Sequence, residues 1–186
     1  MVGGKRIFTS ISICMLFFLI SACNYRQKHI ERTVNDLYAQ KIVVPYSDME
    51  TIVVDSSKLK KSSSFRILAY VDSTECTSCY ASHFSEWEYI LKECRKYEPA
   101  ISFITIIEAK ELANEIKREY LKSNFSKSIF IDRTGVFRKK NPTFPDANIM
   151  HVLLLDKDNK VVLVGNPLNN KRIEELLYNK LKESIQ

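Results

Sequence analysis

Two cysteines three positions apart, Cys76 and Cys79 in Cys76-Thr77-Ser78-Cys79, carry the most evident chemistry in this chain. At that spacing a thiolate on the first attacks an external disulfide, and the second is placed to attack the mixed disulfide that results. The pair also suits two other ends. It can close a structural disulfide, or it can hold Cu(I) or Zn(II) through two thiolates and an imidazole, the set here being Cys76, Cys79 and His151. Covalent haem attachment is excluded, because Tyr80 rather than a histidine follows the second cysteine. Beside the pair in sequence, Glu75 adjoins Cys76 and His83 stands four residues after Cys79, both candidate pocket residues. Glu75 places a carboxylate next to Cys76, which opposes thiolate formation. Glu86, Glu88, Asp132 and Asp146 form no paired-carboxylate pattern, and nothing in the sequence calls for a cofactor.

The elements that must position these residues follow from hydrophobic spacing. Phe65 to Val71 is an apolar, strand-like run ahead of the cysteines. Behind them, Phe84, Trp87, Ile90, Leu91, Cys94 and Tyr97 fall three or four apart, predicting a helix from Cys79 to Tyr97 that ends before Pro99. Trp87 and Cys94 lie on the core stripe of that helix, Cys94 as an inert small hydrophobe. A thiol just ahead of such a helix meets unpaired N–H groups and the positive end of the macrodipole, both of which favour the thiolate.

Ile101 to Ile107 predicts a buried central strand, Leu112 to Tyr120 a second amphipathic helix, and Ser128 to Ile131 a short strand running into a turn at Asp132–Gly135. Two apolar runs around Asp156-Lys157-Asp158-Asn159-Lys160 predict an antiparallel hairpin, and Ile173, Leu176, Leu177 and Leu181 a closing helix. Upstream, residues 27–41 have helical spacing, Ile42–Val44 and Thr51–Val54 read as short strands, and Ser56–Ser64 as a loop. The sum is an α/β domain: a mixed central sheet flanked by helices, with a closing β-hairpin and a C-terminal helix.

The 186 residues suffice for one domain with a real core, and four glycines leave no room for a glycine-rich nucleotide loop. Lys5 and Arg6 precede an uncharged, largely apolar stretch from Ile7 to Ala22, short for a membrane span and of signal-peptide length. It ends in Ile20-Ser21-Ala22-Cys23, which resembles the lipobox of bacterial lipoproteins. That resemblance implies cleavage before Cys23 and a lipid on its thiol. Losing Lys5 and Arg6 takes the net charge from +6 to +4, with basic and acidic residues interleaved and no concentrated basic patch, so nucleic acid is not an expected partner.

The segment from Phe65 onward resembles the thioredoxin-like fold of TlpA/ResA-type envelope thiol-disulfide oxidoreductases. Phe65–Val71 resembles the strand leading into the family's CxxC, Glu108–Ile131 its inserted helix and strand, and His151–Gly165 its closing hairpin. The resemblance implies a catalytic pair in which Cys76 attacks and Cys79 resolves. It implies exchange with exported proteins carrying disulfides or thiols, and an upstream membrane thiol donor if the direction is reductive. Three positions depart from the family: Met150-His151, which the resemblance places among the candidate pocket residues, stands where a cis-proline is usual, Glu75 replaces a tryptophan, and Tyr70 replaces a buried acid. The missing proline keeps open a metallochaperone like the Sco-type copper carriers, although those space their cysteines by three residues. A redox-inactive scaffold is the third alternative. The expected organisation is a signal peptide at 1–22, a lipidated N-terminus, helix and linker at 23–64, and the thioredoxin-like domain at 65–186. The expected location is the cell envelope, lipid-anchored to the membrane. Asn24 after Cys23, with no acidic cluster behind it, favours the periplasmic face of the outer membrane.

Overall fold

The computed structural model describes residues 25–53, 64–74, 83–98, 101–111, 114, 118 and 128–183. Two compact units divide at Asp36 and Leu37. Of the first, residues 25–36 are helical and mostly exposed, and the Thr33 hydroxyl donates to the His29 carbonyl at 3.0 Å. The helical run, α1, continues to residue 38, and Leu37, in the second unit, is fully buried. Among the described residues no helix is long and apolar enough to cross a membrane.

The second unit is built on a six-stranded sheet of β1 (Glu50–Val53), β2 (Phe65–Val71), β3 (Ser102–Glu108), β4 (Ser128–Asp132), β5 (Val152–Asp156) and β6 (Val161–Val164). Their order across the sheet is β1-β4-β3-β2-β5-β6. β3 lies parallel to both β2 and β4, whereas the β2–β5, β5–β6 and β1–β4 pairs are antiparallel. The helices of this unit are α2 (Phe84–Cys94), α3 (Val136–Lys140) and α4 (Lys171–Glu183). A parallel β2–β3 pair joined through α2, beside an antiparallel hairpin followed by α4, is the arrangement of a thioredoxin-like fold. β4 and β1 extend it along one edge.

The central strands are continuous apolar runs because both faces of the sheet are covered. On one face Ile67, Ala69 and Val71 join Phe103, Ile107, Ile131 and Leu154 in a core closed by Trp87, Leu91 and Cys94 of α2 and Leu177 and Leu181 of α4. Trp87 meets Phe103 at 4.7 Å between ring centroids. Of the predicted stripe, Trp87, Ile90, Leu91 and Cys94 are buried and Tyr97, beyond the helix end, is half-buried. Period-2 alternation sends Leu68 and Tyr70 to the opposite face, where Tyr70 stacks on Phe137 of α3 at 5.1 Å.

Three local outcomes differ from the sequence reading. Ile42–Val44 is not a strand: Lys41 makes an isolated bridge to Lys160, and the Val43 backbone is held by a side chain instead. Buried Asn141 accepts from the Val43 N–H at 2.9 Å and donates to the Val43 carbonyl at 2.8 Å. β-branched residues satisfied their backbone groups without a ladder. The helix expected from Cys79 is described from Phe84, with His83 at its N-cap and non-helical. The expected turn at Asp132–Gly135 leads into a helix, α3, that five residues of mixed polarity do not announce.

The hairpin forms as predicted. In its turn the Asp156 carboxylate accepts from the N–H groups of Asp158 and Lys160 at 2.8 and 2.9 Å, while Asn159 takes φ 64°.

Candidate functional site

The chain leaves the sheet at the C-terminal end of β2, one of its two central strands, and reaches Cys76 five residues beyond Val71. Cys76, Cys79 and Glu75 lie outside the described residues, as do Cys23 and the leader. The structure does describe the ground from which the cysteine segment departs. Asp72 ends the strand in a tight local turn, its Oδ1 accepting from both the N–H and the hydroxyl of Thr74 at 2.8 Å. Thr74 is the last described residue before the cysteine segment.

A polar cluster gathers beside that turn. Arg138 of α3 extends its guanidinium across the strand end. Its Nη2 donates to Asp72 Oδ2 at 2.8 Å, its Nε to the Tyr70 hydroxyl at 3.0 Å, and its Nη1 to Asp146 at 2.9 Å. Glu108, the last residue of β3, accepts the Tyr70 hydroxyl proton and lies 3.7 Å from Arg138 Nε. Arg138, Asp72 and Glu108 are each about a quarter exposed or less. Burial pushes the Tyr70 phenol well above its ordinary range, and the hydrogen bond to Glu108 pushes the same way, so it remains a donor. Burial also works against the Asp72 carboxylate. The two Thr74 hydrogen bonds and the Arg138 guanidinium outweigh it and hold Asp72 below the usual carboxylate range.

Under the ions lies an aromatic layer. Tyr70 is packed by Phe137, Phe144 and His151 with centroids 5.1 to 5.3 Å apart, and Arg138 sits 5.1 Å over the Tyr70 ring. What carries Arg138 here is Asp132 at the end of β4. Its carboxylate, 1% exposed, accepts from the N–H groups of Val136 and Phe137 at 2.9 and 2.8 Å and from Thr134 at 3.2 Å. The Val136 and Phe137 groups are orphan donors of the first turn of α3. Gly135 supplies the left-handed residue, φ 67°, that turns the strand into the helix.

The other candidates take distinct places. His151 is 2% exposed and stacks on Phe144 at 5.4 Å, with Nε2 at 3.0 Å from the Pro145 carbonyl. A carbonyl only accepts, so that nitrogen carries the proton. Its backbone carbonyl accepts from the Tyr70 N–H at 2.9 Å, which ties the approach to β5 to the end of β2. Met150 is buried in the 3-10 turn Asn148–Met150, and no peptide bond among the described residues is cis. His83 is half exposed and paired with Glu86 at 2.7 Å, a different environment from that of His151. Cys94 is a free thiol with no exposed surface, and burial pushes its pKa up to about 12. It is inert at neutral pH.

The sequence reading singled out the cysteines and both histidines but missed Arg138, Asp72 and Glu108. Asp146, which has no carboxylate partner in the sequence pattern, here accepts from Arg138. The one sequence signal for this cluster was Tyr70, a phenol that interrupts the aliphatic run Ile67–Val71.

No protein-family model matches the chain, and no curated protein does. Solved structures do resemble it. One is described as a thiol:disulfide interchange protein, DsbE, from Chlorobium tepidum (TM-score 0.48, 15% identity, 76% of this chain and 97% of that one). Another is the reduced form of the N-terminal domain of PilB from N. meningitidis (TM-score 0.47, 15% identity, 77% and 99%). A third is a thioredoxin-like protein from Porphyromonas gingivalis (TM-score 0.44, 13% identity, 73% and 86%). At these scores the fold assignment rests on strand order and pairing rather than on the likenesses.

Proposed function

We propose that this chain is a lipid-anchored envelope protein that exchanges thiols and disulfides with exported proteins through Cys76 and Cys79. The observation that supports the reading is the position of the CxxC in the sequence, between described elements of the sheet. It follows directly on the turn at the C-terminal end of a central strand, and α2 and the parallel strand β3 come next. The carboxyl end of such a strand is where open α/β sheets place their chemistry.

In the proposed exchange the Cys76 thiolate attacks one sulfur of a partner disulfide. The Cys76–partner bond forms, the partner S–S bond breaks, and one partner thiolate leaves. The Cys79 thiolate then attacks the Cys76 sulfur. The second partner thiol is released, and a Cys76–Cys79 disulfide remains, two electrons having passed to the partner. A dithiol donor on the membrane returns the pair to its reduced form. Cys23 as the lipidated residue, and the periplasmic face of the outer membrane as the location, belong to the same proposal and rest on the leader sequence.

The experiment is a redox titration of Cys76–Cys79, read by alkylation and mass spectrometry. A reversible couple between about −270 and −120 mV supports exchange, the lower end indicating a reductant and the upper an oxidant. A couple below about −300 mV refutes it in favour of a structural disulfide. Metabolic labelling with palmitate, lost in Cys23→Ala, tests the anchor.

A further inference from the structure

We propose that the exposed stripe Tyr25, Lys28, His29 and Arg32 of α1 docks on the anionic headgroups of a phospholipid membrane. The inference rests on the anchor part of the reading above, in which the leader holds the chain at a membrane, and adds a second contact to it. Within α1 the helical spacing i, i+3, i+4, i+7 occurs twice. Ile30, Thr33, Val34 and Leu37 make one line, the first three half-buried and Leu37 buried. Tyr25, Lys28, His29 and Arg32 make the other, on the far side of the helix. All four are exposed, Tyr25 by 75%.

The second line differs from an ordinary solvated face in the sign and place of its charge. Arg26, Lys28 and Arg32 stand in the first turns with one acid, Glu31, whose Oε1 accepts from Gln27 Nε2 at 3.2 Å. Among the described residues Lys28 and Arg32 form no ion pair. The next acid, Asp36, lies about 12 Å further along the axis from Lys28, beyond the Debye length of about 8 Å. The cations therefore collect at the end of α1 that follows the leader. No aliphatic side chain stands on the stripe, so it offers a protein partner little apolar area. A phenol with fixed cations suits the headgroup layer instead. Tyrosine rings favour the membrane–water boundary, and lysine and arginine are drawn to anionic lipid over short range. A basic patch is also a common second signal beside a lipid anchor.

The test reads Lys28 directly. The full chain is reconstituted into vesicles of phosphatidylcholine alone, and of phosphatidylcholine with phosphatidylglycerol at about two to one. Trace acylation by an amine-reactive ester is followed by peptide-level mass spectrometry, with exposed Lys157 of the hairpin turn as the internal reference. The variants are R32E and R32K. If the stripe docks on anionic headgroups, Lys28 is acylated about threefold or more slowly in the anionic vesicles than in the neutral ones. Salt at about 1 M, where the Debye length is about 3 Å, abolishes the difference. R32K keeps the protection, because charge is what the surface attracts, and R32E loses most of it. Equal Lys28 rates in the two vesicles overturn the proposal. So does protection that survives high salt or R32E, or that R32K loses as fully as R32E does. Should R32E unfold by circular dichroism, R32K and the salt series still carry the decision. Failure of the anchor appears separately, as a chain that no longer floats with neutral vesicles. The stripe is then judged by flotation with anionic vesicles: binding that R32E loses supports it, and no binding overturns it.

Discussion

The two ends of β2 are both polar and are built in opposite ways. At the N-terminal end, Phe65 lies opposite Asp156, and the neighbouring turn is closed by Asp156 binding N–H groups two and four residues on. Arg66 adds one hydrogen bond to the Asn159 side chain. At the C-terminal end the partners come from separate segments: Tyr70 meets Glu108, 38 residues away, and Arg138 meets Asp72, 66 residues away. The first end's turn is closed mainly by its own Asp156 side chain, with Lys41, Ile42 and Arg66 joining it from elsewhere in the chain. The second end exists only when β2, β3 and α3 are all in place. A local turn stabilises a hairpin, whereas a long-range cluster holds geometry, and the cysteines follow the second.

The contrast is broken most severely by Asp132→Ala. Three backbone donors at the start of α3 lose a buried acceptor, and stability falls by about 2–3 kcal/mol in urea denaturation. Tyr70→Phe keeps the aromatic stack and removes the hydroxyl between Glu108 and Arg138, costing about 1 kcal/mol by the same assay. Asp156→Ala at the other end costs a similar amount, about 1 kcal/mol, by the same assay.

Acid sharpens the comparison further. The folded-state pKa of Asp72 lies below its unfolded value of about 3.9, so its contribution is fully present above that value and is lost as pH falls through the folded value. The stability difference between wild type and D72N therefore narrows as pH is lowered from 6 toward 2, measured by thermal melts across the range. The smallest effect is expected for Asn159→Gly. Glycine adopts φ 64° without cost, while Arg66 loses an acceptor, and the net change stays within about 0.5 kcal/mol.

What the sequence determined by itself is the part written in periodicity and local chemistry. Ile101–Ile107 had to be a doubly covered strand, the Asp/Asn-rich run after Leu155 had to be a hairpin turn, and Trp87, Leu91 and Cys94 had to face the core. Each is a statement about residues near one another in the chain, and the Cys76–Cys79 pair was legible for the same reason. Even there, spacing failed where a side chain intervened: Ile42–Val44 looks like a strand, and Asn141 removed the need for one. Tertiary structure alone decided that Arg138, in a five-residue helix without a hydrophobic repeat, stands over Tyr70 and grips Asp72. Nothing local predicts that meeting. It depends on Asp132 capping α3, on Gly135 turning the chain, and on parallel pairing that brings the ends of β2 and β3 side by side. Charges find partners through the fold, and a pattern read along one dimension holds no record of which carboxylate a distant guanidinium will reach.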